Sequence, residues 1–315
     1  MSTCLYTHPS CLRHETGQGH PERVARLEHI MDYLRGERFL ELVWVESVAV
    51  EEATLALVHQ PSMIRHVMHV ISQVPQHGLA FLDSDTLVSA GSREATLCAV
   101  GASVMAVDAV MAGEATNAFC AVRPPGHHAE PERAMGFCLF NNVAIAAYHA
   151  IEAYGLSRVA ILDFDVHHGN GTQAAVAHDK RILFMSTHQW PFYPYTGRRD
   201  EKGAGFVYNY PLPQGTDGDT FLSVWREGLA HVRAYQPQLM LLSAGFDAHE
   251  DDPLGGFRVS TQDFARLTML FVEEAQKICQ GRLVSMLEGG YNLTALAQSA
   301  AAHVGALMSH ERVRG

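Results

Sequence analysis

The chain has 315 residues, of which 47% are hydrophobic and 18% charged, and its formal net charge is −11. This size and composition favour one large α/β domain over residues 1–315, and the negative charge argues against a nucleic-acid partner. We expect no membrane partner, because no apolar stretch reads as a membrane span and no leader precedes the first element. The six cysteines are scattered without CxxC spacing, which favours free thiols and a cytoplasmic location.

Taken in chain order, the sequence predicts helices that come to alternate with short apolar strands. Helices are predicted at 21–35, 61–73, 90–112, 140–154, 218–234, 260–279 and about 293–309. Strands are predicted at 118–122, 158–163, 181–186, 238–243 and 282–287. Alternation of this kind is typical of a parallel sheet with helices on both faces.

Polar clusters follow four of the predicted strands. They read RPPGHHAE after 118–122, DFDVHHGNG after 158–162, AGFDAHEDDP after 238–243 and EGGYN after 282–287. Ligands of open parallel sheets bind at the carboxyl ends of the strands. We therefore expect the four clusters to meet at one rim of the sheet.

Three residues of these clusters suit a metal ion. Asp165 and His167 are two residues apart, so on extended backbone their side chains point the same way, and Asp247 would come from another loop on the same rim. One imidazole and two carboxylates with an open water position suit catalytic Zn²⁺, or Fe²⁺ or Mn²⁺. An isolated D-x-H is more often a hydrogen-bonded pair at a strand end. The longer cluster and the second aspartate favour the metal.

Further residues of the clusters suit acid–base chemistry. Asp163 is predicted to be buried, so it should face a histidine or a cation. His127 and His128 follow a Pro-Pro-Gly turn and could serve as base and acid, or form an exposed pair. Tyr291 follows two glycines and could donate a hydrogen bond to an oxyanion, or open the last helix as a core residue.

These motifs together resemble the histone deacetylase superfamily. The likeness extends from GHPERVARLEHI through ILDFDVHHGNGTQ and SAGFDAHEDDPLG to EGGYN, in the family's order and over nearly the whole chain. It is strongest for the class II branch and its bacterial amidohydrolase relatives. The resemblance implies the arginase/deacetylase-like three-layer α/β fold, an eight-stranded parallel sheet with helices on both faces.

The resemblance also implies roles for individual residues. Asp165, His167 and Asp247 match the zinc ligands. His127 (backed by Asp163), His128 and Tyr291 match the catalytic residues, and Asn170 stands where class I members carry the aspartate partner of the second histidine. A neutral partner should let His128 stay neutral and act as base. A structural K⁺ ion would be held by Asp163, Ser186 and the backbone of Asp165, His167 and Thr187.

The substrate-binding residues follow in the same way. Phe137 and Tyr193 match the two aromatics beside the acyl-lysine tunnel, although they could simply pack, and Tyr193 replaces the usual phenylalanine. Gly136, Leu254 and Gly289 are also expected at the substrate. Arg23 matches an arginine near an internal acetate-release cavity.

The leading interpretation is a zinc amidohydrolase that acts on N-ε-acyl-lysine in proteins or peptides. A second interpretation is an acetylpolyamine deacetylase, for which Glu250, Asp251 and Asp252 would be the acids at the cleft mouth. Leu254, where the eukaryotic polyamine branch carries a glutamate, argues against it. The sequence is also compatible with a hydrolase of another small amide and with a silent acyl-binding or scaffold protein. It leaves a homo-oligomer open.

Overall fold

A computed structural model gives the structure of residues 2–309; Met1 and residues 310–315 of the expected domain lie outside the described residues. The strands are β1 (Ser2–Thr7), β2 (Val43–Glu46), β3 (Ala80–Phe81), β4 (Leu87–Val88), β5 (Ala115–Cys120), β6 (Val159–Asp163), β7 (Ile182–Gln189), β8 (Val207–Leu212), β9 (Leu239–Ala244) and β10 (Leu283–Leu287). The helices are α1 (Val24–Leu34), α2 (Glu52–Leu55), α3 (Pro61–Ser72), α4 (Ser92–Ala112), α5 (Asn142–Tyr154), α6 (Asn170–Val176), α7 (Gly218–Tyr235), α8 (Thr261–Cys279) and α9 (Leu293–Ser309).

Within residues 2–309, eight strands form one parallel sheet in the order β2-β1-β5-β10-β9-β6-β7-β8. Every residue of β6, β7, β9 and β10 is buried, as expected for strands covered on both faces. The remaining strands, β3 and β4, form a separate antiparallel hairpin. The expected eight-stranded parallel sheet is confirmed.

Three strands of the sheet are not predicted from the sequence, because they lack a continuous apolar run. β2 is a four-residue edge strand with mostly exposed side chains, and β8, at the other edge, carries Pro211. β1 mixes threonine and serine with its apolar residues. Strands at or near a sheet edge need fewer apolar residues, so their sequences resemble loops.

Helices cover the sheet in two groups. Helices α1, α9, α8 and α7 pack side by side in one group, and α3, α4, α5 and α6 form the other. By length and hydropathy α4 would suffice to cross a membrane, but 72% of its most apolar window is buried. The expectation that no stretch is long and apolar enough is therefore wrong for α4, and its burial is typical of a core helix.

The sheet order brings the polar clusters together. β5, β10, β9, β6 and β7 are consecutive neighbours in the sheet, and a loop with polar residues leaves the carboxyl end of each. Asp163, the last residue of β6, lies in register with Ser243 of β9 and Ser186 of β7. From β6 the chain adds β7 and β8 on one side of that strand. It then crosses back and adds β9 on the other side of β6, with β10 next to β9. The boundary between β6 and β9 is thus a switch point, where such sheets bind ligands.

A buried histidine makes this fold sensitive to acid. His303 of α9 is fully buried, with its ring nitrogens 2.7 Å from Thr268 Oγ1 and 2.9 Å from Ser285 Oγ. Burial lowers the pKa of His303 from 6.5 to about 3. Below pH 6.5 the unfolded chain binds a proton at this residue that the folded chain does not. The stability is therefore complete above pH 6.5 and falls as the pH decreases toward 3.

We predict that lowering the pH from 7 to 5 removes about 2 kcal/mol of unfolding free energy through His303. The variant His303→Asn should be less stable than wild type at pH 7 and should lose less stability on acidification. Urea unfolding followed by circular dichroism at both pH values measures the two differences. An equal loss in wild type and variant would contradict the assignment.

Candidate active site

Three buried side chains at the β6 and β9 ends form a candidate metal centre. His167 Nδ1 lies 3.0 Å from Asp165 Oδ1 and 3.1 Å from Asp247 Oδ2, and one ligand atom of each residue lies within 4.8 Å of the other two. Donor atoms around a shared tetrahedral Zn²⁺ are about 3.3 Å apart, given bond lengths near 2.0 Å. The donor set and its spacing therefore fit a divalent metal.

Backbone groups hold the two carboxylates in place. Asp165 accepts hydrogen bonds from the backbone N–H of His167 and of Gly289, both at 2.9 Å. Asp247 accepts one from Val166 N–H at 2.9 Å. A Cβ atom on Gly289 would lie 2.1 Å from Asp247 Oδ2. The structure thus places Gly289 against the candidate metal cluster, and its expected role as a substrate contact stays a prediction.

The three residues of this cluster shift one another's pKa values. Burial would raise the pKa of Asp165, but His127 and His167 outweigh it and hold that pKa well below its usual range. Burial and the charge of Asp165 raise the pKa of Asp247 to about 7. Burial would lower the pKa of His167, yet its hydrogen bonds to the two aspartates raise it to about 10. Groups whose pKa values are displaced this far are typical of functional sites.

The tandem histidines have different partners. His127 Nδ1 lies 3.0 Å from Asp163 Oδ2, and His128 Nδ1 lies 2.7 Å from Asn170 Oδ1. Asn170 donates its amide N–H to Glu130 at 2.7 Å, so its oxygen faces His128. Because an amide oxygen only accepts, Nδ1 of His128 carries the hydrogen and its Nε2 is left as an acceptor. Burial and the neighbouring His127 lower the pKa of His128, which favours this neutral form.

The tandem loop is held from β10 by a residue that the motifs did not single out. Glu288 accepts hydrogen bonds from the backbone N–H of Gly126 at 2.7 Å and of His127 at 3.1 Å. Its other oxygen accepts one from Ser243 Oγ at 3.2 Å. Burial raises the pKa of Glu288 to about 7. Its place directly after the apolar strand β10 resembles that of Asp163 at the end of β6.

The ring of Tyr291 contacts an arginine and a phenylalanine. The guanidinium carbon of Arg26 is 4.9 Å from the ring centroid of Tyr291, and the Phe137 ring is 5.9 Å from it at 81°. Arg26 is fully buried and donates to the backbone carbonyls of Gly290 and Glu288, each at 2.6 Å. It therefore supports the segment that carries the phenol.

The arginine expected in this place was Arg23, and the structure corrects that expectation. Arg23 is exposed and directly precedes α1. Arg26 lies on the buried face of α1 and pairs with the buried carboxylate of Glu22 at 3.0 Å. Burial would raise the pKa of Glu22, but Arg123 and Arg26 outweigh it and lower it to about 2. The periodicity of α1, which also buries Leu27 and Ile30, was the signal that favoured Arg26.

A pocket of about 500 Å³ opens onto these groups. Four of the expected substrate residues line it, namely Gly136, Phe137, Tyr193 and Leu254. His128, His167 and Tyr291 also face the pocket, and Asp85, Gln189 and Gln214 are lining residues that the motifs missed. The acids considered for polyamine binding lie elsewhere: Glu250 and Asp251 are exposed outside the lining, and Asp252 is buried behind it.

Asp163 and Ser186, two of the residues expected to hold K⁺, lie in register on β6 and β7. Asp163 Oδ1 accepts from Asp165 N–H at 3.2 Å. Ser186 Oγ lies 2.9 Å from His188 Nδ1. Thr187 Oγ1 is buried and has no hydrogen-bond partner within residues 2–309. The potassium site therefore stays a prediction.

A pocket lined by a histidine of the candidate metal centre, by His128 and by Tyr291, at the carboxyl edge of a parallel sheet, is typical of a hydrolase. The profile of the histone deacetylase domain matches residues 20–307. A probable deacetylase of Archaeoglobus fulgidus is 38% identical over 298 residues, which cover 93% of this chain and 82% of that protein. The histone deacetylase-like amidohydrolase of Pseudomonas aeruginosa is 36% identical over 278 residues, which cover 86% and 72%.

A solved structure gives the same result. The crystal structure of the HDA15 HD domain matches with a TM-score of 0.90 at 32% identity, over 98% of this chain and 89% of that one. The chain therefore belongs to the histone deacetylase family, and its fold is the arginase/deacetylase-like α/β fold.

Replacing each of the two arginines with methionine tests whether Arg26, and not Arg23, occupies the buried position beside Tyr291. We predict that Arg26→Met lowers the free energy of unfolding by about 3 kcal/mol, because it removes one of the two guanidinium partners of buried Glu22 and leaves two buried backbone carbonyls without their donor. Arg23→Met, at the exposed position, should change it by less than about 0.5 kcal/mol. Urea unfolding at pH 7 measures both. A loss in Arg23→Met as large as in Arg26→Met would restore Arg23 to the buried site.

Proposed function

We propose that the protein is a zinc-dependent amidohydrolase that removes acetyl or other acyl groups from N-ε-acyl-lysine in proteins or peptides. The observation that supports this most directly is the convergence on one pocket of three kinds of group. They are the cluster Asp165, His167 and Asp247, the neutral base His128, and the phenol of Tyr291. Together they match what hydrolysis of an unactivated amide requires.

In this proposal Asp165, His167 and Asp247 hold Zn²⁺. The ion would supply Lewis-acid chemistry, polarising the amide carbonyl and lowering the pKa of a water molecule. The absence of a thiolate from the donor set is typical of catalytic sites and not of closed structural ones. We further propose a structural K⁺ at Asp163, Ser186 and the backbone carbonyls of Asp165, His167 and Thr187.

The protein's own groups would move the protons. His128 accepts the proton of the attacking water at Nε2, since its Nδ1 is bound to Asn170. His127 is held by Asp163; burial would lower its pKa, but Asp165 and Asp163 outweigh burial and raise it. In its protonated form His127 is suited to return a proton to the leaving amine, and once neutral it could share the task of His128. The hydroxyl of Tyr291 donates a hydrogen bond to the oxyanion that develops on the substrate carbonyl.

The walls of the pocket favour a narrow, apolar substrate stem. Phe137, Tyr193 and Leu254 line it, and the methylene chain of an acyl-lysine is apolar up to its amide. An acetylpolyamine carries further ammonium groups and would need acids along its path. Asp85 is a pocket-lining acid, and it is the observation that keeps the polyamine as a second candidate.

The first experiment compares rates of acetate release by zinc-loaded protein. An acetyl-lysine peptide is set against N-acetylputrescine and N-acetylspermidine, each with a chelator-treated control. We predict faster release from the peptide, its loss with chelator and its return with added Zn²⁺.

The remaining outcomes of this comparison are informative. If release from a polyamine is faster, the substrate assignment is wrong, and Asp85→Asn should then slow the polyamine more than the peptide. Asp251→Asn, an exposed acid outside the pocket, is the matched control for that variant. If neither substrate is hydrolysed by zinc-loaded protein, the proposed function fails.

A further inference from the structure

The loop after β9 contributes to the site at more than one position. Asp247, a candidate metal ligand, and Leu254, a wall of the pocket, are seven residues apart on it. Between them the backbone folds back on itself, with His249 N–H donating to Phe246 O at 3.3 Å and Asp252 N–H to His249 O at 3.0 Å. The loop is therefore a set of turns that presents both residues on one side.

Asp252 connects this loop to the segment that carries Tyr291. Its Oδ2 accepts a hydrogen bond from Tyr291 N–H at 2.6 Å and is 3.3 Å from Asn292 N–H, a second donor. Its Oδ1 accepts from Leu254 N–H at 2.9 Å. Asp252 is only 7% exposed. Both carboxylate oxygens are thus occupied by backbone donors, which leaves Asp252 unsuited to binding a cationic substrate.

The segment around Tyr291 needs such a restraint. Gly290 has φ of +120°, a backbone region that only glycine adopts readily. After it, Asn292 caps α9 by accepting from Ala295 N–H at 3.1 Å. Tyr291 lies between this glycine and this cap. Its backbone N–H donates to the carboxylate of Asp252.

We propose that Asp252 is a positioning residue for the deacylation proposed above. It fixes the Tyr291 backbone relative to Leu254, so that the phenol and the pocket wall keep one spacing. The inference rests on the proposed function for its kinetic consequence, although the restraint itself does not depend on activity. A short carboxylate bond to a backbone N–H is among the stronger hydrogen bonds in proteins, which suits a restraint of this kind.

The test replaces the acceptor without changing the size of the side chain. The asparagine side chain has one oxygen and one N–H₂ group. In Asp252→Asn, therefore, either Tyr291 N–H or Leu254 N–H loses its acceptor. We expect kcat on the acetyl-lysine peptide to fall about tenfold to 100-fold, the range associated with a displaced catalytic group, with little change in KM. Asp251→Asn is the matched control, because the Asp251 side chain is exposed, lies 3.9 Å from His249 Nδ1, and leaves the bond from Asn292 to the Asp251 backbone carbonyl unchanged.

A double variant separates positioning from general loss of structure. If Asp252 acts through Tyr291, then Asp252→Asn should lower kcat much less in a Tyr291→Phe background than in wild type. Equal factors in the two backgrounds would overturn the inference. So would a wild-type kcat in Asp252→Asn.

Hydrogen exchange tests the restraint without any substrate. In Asp252→Asn the amide hydrogens of Tyr291 and Asn292, or else that of Leu254, should exchange at least about tenfold faster than in wild type or Asp251→Asn, because an asparagine has one acceptor oxygen and one side loses its bond. Unchanged exchange would overturn the inference even if activity fell. If wild type hydrolyses no acyl-lysine but the exchange behaves as expected, the proposed function fails and the restraint stands.

Discussion

Burial of carboxylates at the carboxyl ends of adjacent strands is the constraint on which the rest of this structure depends. Asp163, Asp165 and Asp247 are each fully buried, and an uncompensated buried charge costs several kcal/mol. The protein compensates them with His127 and His167 and with backbone N–H groups aimed at their oxygens. The same arrangement leaves donor atoms of Asp165, His167 and Asp247 pointing at one another, which is the geometry a divalent cation would complete.

A second set of buried carboxylates lies outside the pocket lining and holds the segments that carry the tandem histidines and Tyr291. Glu288 fixes the loop of the tandem histidines, and Asp252 fixes the backbone of Tyr291. Glu22 fixes Arg26, whose guanidinium lies over the Tyr291 ring. Glu288 and Asp252 join segments that are far apart in sequence, and Glu22 does so through its second partner, Arg123, at 2.7 Å. Buried acids therefore have two different roles in one small volume. The first set contacts the imidazoles of His127 and His167, and the second set binds backbone N–H groups and Arg26.

The sequence predicts the centre of this site better than its support. Asp165, His167 and Asp247 follow buried strands, and parallel strand ends must meet at one rim, so their convergence follows from topology. Arg26 could not be separated from Arg23 by motif alone, because the direction of each side chain depends on where α1 begins. The edge strands β2 and β8 and the lining residue Asp85 were missed, since partly exposed segments carry a weak apolar pattern.

The measurement that tests the central claim most directly is the melting temperature of metal-free protein with and without added Zn²⁺. Wild type and Asp251→Asn should both be stabilised, by about 2.7 kcal/mol at a zinc concentration 100 times the dissociation constant. Asp247→Asn, which removes one ligand, should gain much less at the same concentration. Absence of a zinc-dependent rise in wild type, or an equal rise in Asp247→Asn, would contradict the assignment of these buried acids to a metal centre.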